Sequence, residues 1–101
     1  IQATLAELTA ETIAREVNAF GAGTAYVCGG GAHNLHLMTR LRHHLAPIPC
    51  DSTDVLGISP DWVEACAFAW LAHARLHGIH GNATRVTGAS KPAVLGALYL
   101  P

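Results

Sequence analysis

The stretch that decides the fold is Thr24-Ala25-Tyr26-Val27-Cys28-Gly29-Gly30-Gly31-Ala32-His33-Asn34. Its first five residues are β-prone and bounded by glycine, which predicts a short buried strand. The glycines break that strand, and Asn34 is placed to cap a helix running to about residue 45. On this helix Leu35, Met38, Leu41 and Leu45 make an apolar face, while Arg40, His43 and His44 point elsewhere. Pro47 and Pro49 then bracket a second extended piece, residues 48–51. Upstream, residues 1–20 carry helical periodicity, and Gly21 and Gly23 end it. Glu7, Glu11 and Arg15 form a polar stripe, with Glu11 and Arg15 in the favourable orientation. Ile1, Leu5, Leu8, Ile13, Val17 and Phe20 cover much of the remaining circumference, which predicts burial on a wide arc. Helix, strand, turn, helix, strand is the α/β class, with helices on a short, mainly parallel sheet.

Downstream, residues 52–59 read as a loop containing Gly57, and Ser59-Pro60-Asp61 as a helix start. Residues 62–77 are apolar nearly all round, so this third helix is expected to be buried in the complete protein. Gly78 and Gly81 stop it. From Asn82 the pattern is irregular, with a polar turn at Thr87-Gly88-Ala89-Ser90 and a last apolar run over residues 94–99. The 101 residues suffice for one small domain.

Half of the residues are hydrophobic and 13% are charged, against about 25% in an average soluble domain. Disorder is excluded, and an apolar face that packs against further chain is expected. A net charge of −1 gives no electrostatic footprint for nucleic acid. The most apolar run, residues 62–76, is too short for a membrane span and carries Glu64, His73 and Arg75. Cys28, Cys50 and Cys66 lack paired spacing and read as small buried hydrophobes, which fits a reducing, cytoplasmic setting. The chain begins at Ile1 and enters helical pattern at once, so a fragment is expected.

Three glycines between a strand and a helix let a ligand approach the backbone amides, since no side chain stands in the way. The helix start beyond them favours an anion or polar group. The stretch is not a phosphate-binding P-loop, because no Gly-Lys-Ser/Thr follows. Nor is it the dinucleotide fingerprint, because Asn34 stands where a third glycine is required. On residue chemistry alone, a plain turn ending a strand fits equally well.

Glu64 is the only acid in the apolar third helix. With Asp61 as N-cap it completes a capping box; alternatively it is a carboxylate that orients a substrate hydroxyl or a water. His73 and His77 share a helix face and His80 follows, yet a third strong ligand and a Cys-x-x-Cys pair are lacking. No metal site is assigned, and His33 and His36 read as surface residues flanking the turn. Thr87-Gly88-Ala89-Ser90 and Lys91 read as an ordinary turn.

Four segments in order resemble the C-terminal end of the anhydro-N-acetylmuramic acid kinase family. They are Val27-Cys28-Gly29-Gly30-Gly31-Ala32-His33-Asn34, Leu56-Gly57-Ile58, Asp61-Trp62-Val63-Glu64-Ala65-Cys66-Ala67-Phe68-Ala69-Trp70-Leu71-Ala72 and Val86-Thr87-Gly88-Ala89. The terminal Val94-Leu95-Gly96-Ala97-Leu98-Tyr99 fits the same family. The resemblance implies an actin-like ATPase (ribonuclease H-like) fold, with residues 1–101 a single partial domain from the C-terminal part of the second kinase domain. It implies ATP and Mg2+ as cofactors, and opening and 6-phosphorylation of 1,6-anhydro-N-acetylmuramic acid in peptidoglycan recycling. It makes Gly29, Gly30, Gly31 and Asn34 the nucleotide-facing residues and Glu64 the candidate for sugar or water. It also implies a homodimer. The phosphate loop and general-base aspartate of the family lie upstream of Ile1, so this piece alone is expected to be inactive. The competing expectation is a non-catalytic binding or regulatory module built on the same half-fold.

Overall fold

The computed structural model describes residues 1–100. The chain falls into two units, Ile1–Val63 and Glu64–Pro101. In the first, helix α1 spans Gln2–Phe20 and stops where Gly21 turns left-handed at φ 74°, its amide returning to the carbonyls of Val17 and Asn18. Strand β1 is Ala25–Val27. A single 3-10 turn, Gly30–His33, leads into α2, Leu35–Leu45. Asn34 caps α2 as expected, its side-chain oxygen accepting the Leu37 amide at 3.1 Å. Strand β2, Cys50–Ser52, lies parallel to β1 with Ala25 opposite Cys50 and Val27 opposite Ser52. The parallel pairing follows from the helical crossover, because a tight hairpin joins only antiparallel strands.

The core of this unit is Ala10 and Ala14 from α1, Met38, Leu41 and Leu45 from α2, and Cys50 from β2. Val17, Ala25, Val27, Leu37 and Ile48 pack around them. Two expectations need correcting here. Most of the large apolar residues of α1 lie outside its buried arc: Leu5, Leu8, Ile13 and Phe20 are exposed, Val17 packs beside the core, and the stripe that meets α2 is built on alanine. Small side chains let two helices approach closely, and the bulky ones are left on the opposite side. Leu35 is exposed as well, and Leu37 takes the packing position in its place.

The polar stripe of α1 is likewise used differently. Glu7 reaches across to α2, accepting hydrogen bonds from Arg40 Nε and Nη2, the latter at 2.7 Å, and lying 2.7 Å from His44 Nε2. Arg15 pairs at 3.5 Å with Glu16, its sequence neighbour. The Glu7 carboxyl is drawn down to about 2, mainly by the Arg40 hydrogen bonds and then by His44. Arg42 ties α2 to β2, donating to the Cys50 carbonyl at 3.0 Å and to the Asp51 carboxylate at 3.3 Å.

In the second unit, α3 (Val63–Leu76, with Val63 belonging to the first unit) is followed by a short helix α4, Thr84–Thr87. Of α3 only Ala74 is buried, while Phe68, Trp70 and Leu76 are exposed. Asn82 organises the segment after α3. Its side chain donates to the Lys91 carbonyl at 3.0 Å and accepts the Ala93 amide at 2.7 Å. Gly81 donates its own amide to the Ala93 carbonyl at 3.0 Å. A Cβ on Gly81 would lie 3.0 Å from the Leu71 side chain and 3.4 Å from that of Leu95, so a larger residue there requires these side chains to shift by a few tenths of an ångström. Of the three cysteines only Cys50 is buried; Cys28 and Cys66 are exposed, contrary to the composition-based expectation.

Candidate functional site

In parallel sheets, ligands bind outside the carboxyl ends of the strands. Val27 and Ser52 are register partners at that end of β1 and β2. The glycine turn leaves the first strand there, and the 3-10 turn Thr53–Leu56 leaves the second. Thr53 is buried, and its hydroxyl has no hydrogen-bond partner among the described residues.

Gly29 has φ 76° and ψ −176°, a conformation that strains any residue with a Cβ. Its amide donates to the Pro60 carbonyl at 2.8 Å. The Gly29 carbonyl accepts the Ala32 amide at 3.0 Å, and the Gly31 carbonyl accepts the Asn34 amide at 3.1 Å. Gly30 and Gly31 are different in kind. Neither has positive φ. A Cβ on Gly30 meets nothing within 4 Å, and one on Gly31 makes an ordinary 3.6 Å contact with Leu37. Both residues are exposed. The backbone therefore requires glycine at position 29, whereas nothing in this chain requires it at 30 or 31.

Gly29, Gly30, Gly31 and Asn34 thus share one turn at the carboxyl edge of the sheet. Asn34 spends its side-chain oxygen on the α2 cap. His33 projects from the same turn and lies 2.8 Å from the Asp61 carboxylate through Nε2. Sequence spacing gave no sign of this pair, since 28 residues separate its members. It also displaces the capping box: the Asp61 carboxylate faces His33, and α3 begins two residues later, at Val63. Glu64 lies in the first turn of α3, in the other unit, and is exposed.

The remaining candidates carry less chemistry. The rings of His73 and His77 stack with centroids 4.0 Å apart, and His77 Nδ1 lies 2.9 Å from the His73 carbonyl oxygen. Among the described residues no three His, Cys, Asp or Glu side chains are grouped to hold a metal ion. Thr87 donates its hydroxyl to the Ala83 carbonyl at 3.0 Å, so the 87–90 turn is locally satisfied. In the second unit an apolar groove of about 480 Å³ is lined by Phe68, Leu71, Arg75, Leu76, Leu95 and Leu98, among others. It contains no carboxylate and one guanidinium, a poor match to phosphoryl chemistry. No described helix is long and apolar enough to cross a membrane.

The family model for anhydro-N-acetylmuramic acid kinase matches residues 1–101. The chain belongs to the anhydro-N-acetylmuramic acid kinase family. It is 56% identical to the anhydro-N-acetylmuramic acid kinase of Chromohalobacter salexigens, over 98% of this chain and 28% of that protein. It is 52% identical to the namesake kinase of Pseudomonas syringae pv. tomato over the same shares. The Psychrobacter cryohalolentis kinase is also 52% identical, over 95% of this chain and 23% of its own length. The chain therefore spans under a third of the length of these curated relatives. The matched portion includes the glycine turn, Asn34, Asp61 and Glu64.

Proposed function

We propose that this chain is the C-terminal part of the second α/β domain of an actin-like (ribonuclease H-like) sugar kinase. The complete protein opens the anhydro ring of 1,6-anhydro-N-acetylmuramic acid with water and transfers the γ-phosphoryl group of ATP to it. The product is N-acetylmuramic acid 6-phosphate, formed in the cytoplasm during peptidoglycan recycling. Gly29, Gly30, Gly31 and Asn34 face the nucleotide, and Glu64 orients the sugar or the attacking water.

The observation that carries the nucleotide assignment is the pair of glycines at 30 and 31 that nothing in the chain requires. Glycine raises the entropy lost on folding, so its use in a compatible conformation with open space around it needs another reason. Close approach of a flat, polar ligand to the backbone supplies that reason, and the carboxyl edge of a parallel sheet is where such a ligand binds. Phosphoryl transfer then rests on positioning and charge stabilisation. This chain contributes the nucleoside side. Magnesium is bound mainly through the phosphates and residues elsewhere in the complete protein. By itself the piece is inactive, and the complete enzyme acts as a homodimer.

Hydrogen exchange on the complete protein tests the nucleotide assignment. ATP should protect the amides of Gly30 and Gly31, and unprotected amides at saturating ATP would refute it. Turnover of the anhydro sugar by Glu64→Gln tests the second assignment. A drop in kcat is expected, and unchanged kinetics would leave Glu64 no role in the reaction. The alternative of a non-catalytic docking module draws on the exposed Phe68 and Trp70 of α3. It predicts a complete protein with no ATP-dependent phosphorylation of the anhydro sugar.

A further inference from the structure

The two residues that bound the glycine turn are tied to two consecutive residues ahead of α3. Gly29 is held through its amide to the Pro60 carbonyl at 2.8 Å. His33 is held through Nε2 to the Asp61 carboxylate at 2.8 Å. The three residues between them, Gly30, Gly31 and Ala32, are thereby closed into a loop fixed at both ends. Fold stability gives a weak reason for the second tie. The side chains of His33 and Asp61 are 59% and 56% exposed, and ion pairs at that exposure contribute little. Neither residue belongs to the core. What the pair does is restrain a segment whose glycines would otherwise sample many conformations.

From this geometry we infer that His33 and Asp61 are positioning residues that strap the glycine turn in the shape that receives the nucleotide. The inference rests on the nucleotide-facing role proposed for the turn. Releasing one end leaves the fold in place and lowers the fraction of molecules whose turn is competent, which weakens apparent affinity in proportion. The effect belongs to nucleotide binding and leaves the chemical step alone.

The test uses the complete protein with MgATP and the anhydro sugar. Asp61→Ala and His33→Ala should each raise KM for ATP about fivefold, in line with losing one side-chain hydrogen bond. Turnover at saturating ATP and the thermal midpoint should stay near the parent values. Asp61→Asn retains an oxygen that accepts from His33 and should restore KM to within about twofold of the parent, in line with a retained hydrogen bond. Faster exchange at the Ala32 and Asn34 amides, which are hydrogen-bonded within the turn, should accompany the KM change in Asp61→Ala without ATP. Unchanged KM in both alanine variants overturns the strap. Equal losses in Asp61→Asn and Asp61→Ala overturn it too, because the hydrogen bond would then not be what matters. Gly30→Ala separates this from the parent proposal. If it raises KM while the Asp61 and His33 variants do not, the turn faces nucleotide and the strap is wrong. If it also leaves KM unchanged, the nucleotide-facing role fails and the strap falls with it.

Discussion

Replacing Gly30 by alanine separates the demands of folding from those of a ligand. A Cβ at this position has no neighbour within 4 Å, and the residue is not in the left-handed region. Alanine restricts the unfolded chain more than glycine does, so the folded state should gain about 0.4–1 kcal/mol. A denaturation midpoint no lower than the parent's is the expected reading. A nucleotide lying on the backbone amides would meet the added methyl group. Inserting a methyl into a packed contact costs about 1–3 kcal/mol, or roughly five- to 150-fold in affinity. Gly29→Ala provides the contrast. Its φ of 76° with ψ −176° lies in a region essentially reserved for glycine, so a side chain there costs about 1–3 kcal/mol in stability. One neighbour thus weakens folding, while the other spares folding and weakens ATP binding. The assay is ATP titration of the complete protein, by calorimetry and by KM, beside chemical denaturation of the same samples. Undiminished affinity in a well-folded Gly30→Ala protein would refute the claim that the turn is glycine for a ligand's sake.

The Glu7 carboxyl titrates near 2 in the folded state, below its unfolded value of about 4.3. Its contribution is therefore full above that unfolded value and fades as pH falls from there toward 2. Thermal midpoints of the parent should drop through this window more steeply than those of Glu7→Gln; parallel curves would mean that the Arg40 and His44 contacts do not form. Under native conditions Cys28 and Cys66 should react quickly with a thiol reagent and Cys50 slowly, because Cys50 is buried and burial raises its pKa. Three equal rates would contradict the packing of β2 on the core. Asn82→Ala removes two hydrogen bonds that join the segment after α3 to residues 91 and 93. A loss of about 1–3 kcal/mol is expected, read as faster amide exchange at Ala93, and an unchanged rate there would remove the bridging role.

The elements that were legible in the sequence are those whose signals are local. Asn34 caps the helix that its position announced, and Gly21 ends α1 through its own left-handed turn. β1 formed within the β-prone run bounded by glycines, while β2, Cys50–Ser52, overlaps the expected extended piece 48–51 but runs one residue into the expected loop; the two strands pair in parallel across the crossover helix. Partner choice was not legible. The periodicity of α1 gives it two apolar arcs, one of alanines and one of large residues, and nothing within the helix decides which one α2 covers. The structure chooses Ala10 and Ala14. Glu7 looked like a member of a surface stripe, but its partners, Arg40 and His44, lie 33 and 37 residues away.

The same distinction governs the candidate site. Gly29-Gly30-Gly31 was visible as a motif, yet its composition could not separate a plain strand end from a surface kept bare for a ligand. That distinction needs the backbone angles and the surroundings of each glycine. Position 29 turns out to be glycine for the backbone's own sake, which is the plain explanation. Positions 30 and 31 carry no such backbone demand, and that is what supports the ligand-facing role proposed for them. Asp61 shows the converse. A capping box fitted its spacing, but a residue brought from 28 positions away took its carboxylate. A cap at Asp61 would have satisfied the start of α3 alone. Paired with His33, the same carboxylate is tied to the glycine turn, the turn for which we propose the nucleotide-facing role.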